Sequence, residues 1–110
     1  MKAYVVDEIK AADLQRIRRF LSDNAVSSGL DTLFWVPVAD SLLAPLQQEH
    51  RSCRPYVFAI ETGETFLKAE FFVRTLQDMR CPCQGYGTPE QTRFIMEWIN
   101  GMLQALSITT

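Results

Sequence analysis

The chain has a single histidine and three cysteines, and no apolar run comes near the ~20 residues that cross a bilayer. With one imidazole, and acids such as Glu49, Glu61 and Glu70 at unrelated spacings, nothing selects a nucleophile and its base; no catalytic residue is assigned. Charge of one sign is also missing. Eleven Lys and Arg stand against thirteen Asp and Glu, a net charge of -2 at pH 7, too mild to imply a nucleic-acid or membrane partner. The densest basic group, Arg16, Arg18 and Arg19, lies on a predicted helix and reads as a solvated face. From Met1 onward the chain reaches Asp7 and Glu8 before a signal-peptide core can form, so a cytoplasmic, thiol-reducing location is expected. There an odd cysteine count is no anomaly and structural disulfides are not expected.

What remains is a single α+β domain over residues 1–110, large enough to bury a core without a metal or a disulfide. Its hydrophobic share of 47% and charged share of 22% are those of a globular protein. Ile9, Ala12, Ile17, Phe20 and Leu21 recur near helical spacing, which predicts a first helix from Asp7 or Asp13 to Ala25, stopped by Ser27-Ser28-Gly29. Leu33 to Val36 reads as a short strand, apolar on both faces and closed by Pro37. Pro45 can open a short helix through His50 or Arg51, and Arg54-Pro55 ends it.

Tyr56 to Thr62 and Thr65 to Arg74 read as a hairpin turned by Gly63-Glu64. That turn sets Ile60 opposite Leu67, Phe58 opposite Ala69 and Tyr56 opposite Phe71, all on the core face. On the other face Val57, Phe66 and Phe72 form an apolar strip, a candidate interface for a second copy. Thr88-Pro89-Glu90-Gln91 carries an N-cap threonine, a first-turn proline and a capping-box glutamine. From it a last helix runs with an apolar stripe of Ile95, Trp98, Met102 and Leu106, read as packing. The expected architecture is a three-stranded antiparallel sheet packed with long N- and C-terminal helices, with a short helix inserted before the central hairpin.

The few soft donors are not scattered. His50-x-x-Cys53 and Cys81-Pro82-Cys83 flank the hairpin, and extending the expected pairing brings Cys53 level with Arg74, at the open end of the ribbon. Thr75 to Arg80 can span roughly 20 Å when extended, enough for Cys81 and Cys83 to fold back over that end. Three thiolates and one imidazole complete a tetrahedral zinc shell, with sulfur near ~2.3 Å and nitrogen near ~2.0 Å of the ion, and closed shells of this kind are structural. A Cys-x-Cys step with proline at its centre is tighter and stiffer than the usual zinc half-site. Two other readings of the same residues stay open. Cys53 can be a small core hydrophobe with His50 on the surface. Alternatively, Arg51, Arg54 and Arg80 can favour thiolates for redox chemistry at Cys81 and Cys83.

Cys81-Pro82-Cys83-Gln84-Gly85 resembles the opening of the SEC-C zinc motif, which begins Cys-x-Cys and closes with a Cys-Cys or Cys-His pair. No cysteine or histidine follows Cys83, so any further ligands must come from upstream. In architecture alone, the helix, three strands, helix order and pI near 5.3 resemble dimeric secretion-chaperone domains, which implies a groove and a symmetric dimer. The expected function is thus a noncatalytic binding or assembly domain, its partner another protein or itself as a homodimer. The alternative is a structural zinc-binding or cysteine-redox protein using His50, Cys53, Cys81 and Cys83. The expected cofactor is none, or one structural zinc.

Overall fold

Tyr56, Phe58 and Ile60 alternate with Val57, Ala59 and Glu61, and the strand they make is the one on which the other elements assemble. The computed structural model describes residues 2–110. In chain order the elements are β1 (Ala3–Val6), α1 (Ala11–Asn24), β2 (Val26–Ser27), β3 (Leu33–Pro37), α2 (Pro45–Glu49), β4 (Tyr56–Thr62), β5 (Leu67–Glu70), β6 (Phe72–Thr75), β7 (Gly85–Tyr86) and α3 (Pro89–Ala105). Single 3-10 turns occupy Asp40–Leu42 and Arg51–Cys53. The α+β class and the antiparallel sheet are as expected, but the sheet has seven strands, not three. Its order is β1-β5-β4-β3-β2, with β6 pairing the first part of β4 and β7 added outside β6.

The extra strands are short or sit where the sequence offers another reading. β1 pairs antiparallel with β5, Ala3 to Glu70 and Val6 to Leu67. After it, Asp7 accepts from the Glu8 N–H at 2.7 Å and the Thr65 hydroxyl at 3.2 Å. That role removes Asp7 as a helix cap, and Asp13 lies inside the first turn of α1, which starts at Ala11 without a side-chain cap. The helix also stops earlier than expected, at Asn24, because Val26 and Ser27 leave it to pair with Trp35 and Phe34. Gly29, at φ +91°, serves the connection into β3 rather than the helix end. β3 buries only one face, Phe34 and Val36, while Leu33 and Trp35 are half-buried on the other.

The hairpin forms in a different register. Leu67 pairs with Thr62 and Ala69 with Ile60, two residues along from the Gly63-Glu64 expectation. Gly63 donates its N–H to the Phe66 carbonyl at 2.8 Å, so the reversal is Glu64-Thr65. The Phe66 ring explains where glycine is needed: a Cβ on Gly63 would lie 2.1 Å from Phe66 Cε1. An even shift leaves every side chain on its expected face, so the core set survives the error. A second displacement occurs at Phe71, whose N–H goes to the Lys2 carbonyl and whose carbonyl accepts from Gly87. Beyond that interruption, Tyr56 pairs with Thr75 and Val57 with Arg74, instead of with Phe71 and Glu70.

Both long helices pack on one face of the sheet. Leu14, Ile17 and Leu21 of α1 and Ile95, Ile99, Met102 and Leu103 of α3 meet Phe34, Val36, Phe58, Ile60, Leu67 and Val73 in one buried cluster. Phe58 stands edge-on to both Phe94 and Trp98, at centroid distances of 6.3 and 6.1 Å, a geometry favoured by the ring quadrupoles. The capping box of α3 closes as its sequence indicates: Gln91 N–H donates to Thr88 Oγ1 at 3.1 Å and Thr88 N–H to Gln91 Oε1 at 3.0 Å. Among the described residues, no helix is long and apolar enough to cross a membrane.

Candidate metal centre

Cys53 is the last residue of a 3-10 turn that begins at Arg51, and His50 caps both that turn and the end of α2. One helical turn therefore presents the imidazole and the thiol together. The facing half comes from the segment between β6 and β7, where the Cys81 N–H bonds the Asp78 carbonyl and the Gln84 N–H the Cys81 carbonyl, at 3.2 and 3.4 Å. Gln84 anchors this segment at two points, accepting from the Thr75 N–H at 2.9 Å and donating to the Met79 carbonyl at 2.9 Å. Thr75, at the end of β6, donates its hydroxyl to the Cys53 carbonyl. The two halves thus meet at the open end of the ribbon, as the sequence indicates, although the register that brings them there is another one.

His50, Cys53, Cys81 and Cys83 each place a donor atom within 4.8 Å of all the others. His50 Nδ1 lies 3.1 Å from Cys81 Sγ, and Cys53 Sγ lies 3.5 Å from Cys81 Sγ. Around a tetrahedral zinc the same donors would stand about 3.6–3.8 Å apart. The cluster brackets that spacing, so these four residues can hold a metal ion, and the set is compatible with a structural zinc. The cysteines are 7, 9 and 4% exposed in chain order, a closed setting for a structural ion.

Hydrogen bonds outside the cluster orient its members. The Tyr56 hydroxyl donates to the His50 carbonyl at 3.0 Å. Gln47 donates Nε2 to the Cys83 carbonyl at 3.2 Å, while its Oε1 accepts from Gln91 at 2.8 Å and from the Ala44 N–H at 2.9 Å. Gln91 also donates to the Leu42 carbonyl at 3.0 Å. Through this buried glutamine pair α3 reaches the cysteine loop. Such outer partners fix ligand orientation and are half of what makes a metal site. Among the described residues no buried side-chain nitrogen or oxygen lacks a partner.

The thiols differ in acidity. Hydrogen bonds from the Cys83 side chain and backbone N–H hold the Cys81 thiol down to about 7, helped by Cys53 and His50 and opposed by burial. Its hydrogen bond to Cys81, then burial and the Cys83 charge, push Cys53 up to about 11. Burial raises Cys83 and Tyr56 as well. One thiolate therefore forms readily and discourages the next two. A bound dication reverses that order, because a coordinated thiol is deprotonated outright. The arginines contribute no hydrogen bond to the sulfurs: Arg54 instead pairs with Asp40 at 3.3 Å and bonds the Arg51 carbonyl.

The candidate interface fares differently. Val57 is 0% exposed within this chain, on a strand flanked at this position by Pro37 of β3 and Arg74 of β6. It can offer no surface to a partner. Phe66 folds over Gly63, and Phe72 stands edge-on to Tyr86 at 5.4 Å with the Arg74 guanidinium 4.9 Å from its ring centre. The residues that sequence reasoning missed are Tyr56, Thr75, Gln47 and Gln84. Tyr56 reads there as one more apolar strand position, and no spacing ties any of them to the cysteines. No family model matches the chain, nor does any curated protein or solved structure.

Proposed function

We propose that this chain is a small noncatalytic binding or assembly domain in which one structural zinc ion, held by His50, Cys53, Cys81 and Cys83, ties the loop before β7 to the turn before β4. The observation that supports it is the convergence of the chain's only imidazole with all three of its thiols, every donor atom within 4.8 Å of the others. Four protein ligands leave no open position for water or substrate, so the ion serves architecture rather than Lewis-acid chemistry. His50 would bind through Nδ1, the nitrogen that faces Cys81. The partner is another protein or a second copy of the chain.

Elemental analysis of full-length protein purified without a polyhistidine tag tests the reading. One zinc per chain is expected, and Cys83→Ser should lose it together with the thermal stability it confers. A wild-type preparation made with zinc present and still holding no metal, or a Cys83→Ser variant with an unchanged melting curve, would overturn it. Analytical ultracentrifugation across a concentration series tests self-association separately.

A further inference from the structure

The geometry points to Cys53 and Cys81 as a two-electron redox pair: an oxidant of the hydrogen peroxide class joins their sulfurs and expels the zinc ion. The expulsion rests on the zinc reading; the bond does not. The two sulfurs lie 3.5 Å apart, on segments separated by 28 positions in the chain, so closing to the ~2.05 Å of a disulfide moves each side chain by less than an ångström. A bond between Cys81 and Cys83 is the competing product. It would close a ring across Pro82 alone, whose fixed φ gives the step little room to relax, and such bonds store strain.

Cys81 is the sulfur oxidised first. It is the most exposed of the three at 9%, and it lies against both the half-buried His50 and Cys53. Its thiolate displaces hydroxide from the peroxide to give a sulfenic acid. The Cys53 thiolate then attacks that sulfur, forming the disulfide and releasing the second oxygen as water. Overall, two thiolates lose two electrons, and one peroxide with two protons becomes two waters. Zinc keeps only Cys83 and His50 of its four protein donors and leaves. The bond spans the same two segments that the ion joined, so the loop stays tied while the metal is lost.

Zinc-loaded full-length protein treated with hydrogen peroxide, in the presence of a colorimetric zinc indicator and followed by alkylation and peptide mapping, tests the inference. The expected result is one equivalent of zinc released, one disulfide joining the Cys53 and Cys81 peptides, and reversal of both by a dithiol with zinc resupplied. The oxidised, zinc-free protein should melt above reduced protein stripped with a chelator. Zinc retained, a Cys81–Cys83 bond, or release with the cysteines carried to sulfinic acids overturns the inference. Protein that takes up no zinc when supplied with it, yet still forms the Cys53–Cys81 bond under peroxide, sinks the metal reading and leaves the redox pair standing.

Discussion

Phe58 and Cys83 are both buried, yet their surroundings have little in common. Around Phe58 are the rings of Phe94 and Trp98 from α3 and, across the pairing with β3, Val36. Cys83 instead sits among an imidazole and two other sulfurs, with a glutamine amide reaching its carbonyl. Apolar packing tolerates small displacements, since each contact is worth little and many share the load. A polar cluster does not: one missing donor leaves its partners buried and unpaired, at a cost of about 1–3 kcal/mol each. The body of this protein is therefore expected to fold on its own account, and its cysteine end to depend on everything there being present together.

Chelation separates the two regions most sharply. Structural zinc binding is worth on the order of 10 kcal/mol in small zinc domains, so stripping it should lower the melting temperature more than any single side-chain truncation. Hydrogen exchange should show residues 76–84 losing protection first, with α3 and β4 last. Equal loss across the whole chain would mean the two regions are one unit. Phe58→Ala attacks the other side and should cost about 3–5 kcal/mol in denaturant unfolding, while the zinc content of the protein that remains folded stays at one equivalent.

Gln47→Ala lies on the border. It leaves the Cys83 carbonyl and one donor of Gln91 without their partner and should cost about 1–3 kcal/mol, accompanied by faster zinc transfer to a competing chelator. Stability lost with no change in transfer rate would show that the glutamine pair serves packing alone. Thr88→Ala should do least, about 1 kcal/mol from the lost cap of α3, with zinc transfer unchanged. These two variants sharpen the boundary between the regions, since Thr88 and Gln47 both engage Gln91 but only Gln47 touches the cysteine loop.

Legibility in the sequence follows the same division. The capping box at Thr88 and the apolar stripe of α3 can be read directly, because both are local patterns with a fixed period. The hairpin is readable as a hairpin, and its core face correctly so, but not its register: glycine at 63 answers the ring of Phe66, a contact invisible in the turn sequence. β2 and β7 are two residues each and carry no periodic signal, and β1 exists only because β5 offers it an edge. The break at Phe71 is imposed by the Lys2 carbonyl and the Gly87 amide, one from well before it in the chain and one from after it. At the cysteine end the four donors could be named from their scarcity and the ribbon's geometry. Their support could not, since Gln47, Gln84 and Thr75 act through backbone carbonyls and amides that any residue possesses.

X-ray absorption at the zinc edge of the full-length protein measures the proposed coordination directly. Three sulfurs near ~2.3 Å and one nitrogen near ~2.0 Å are the predicted shell. A shell made only of oxygen and nitrogen, or one sulfur fewer than the three cysteines supply, would contradict it.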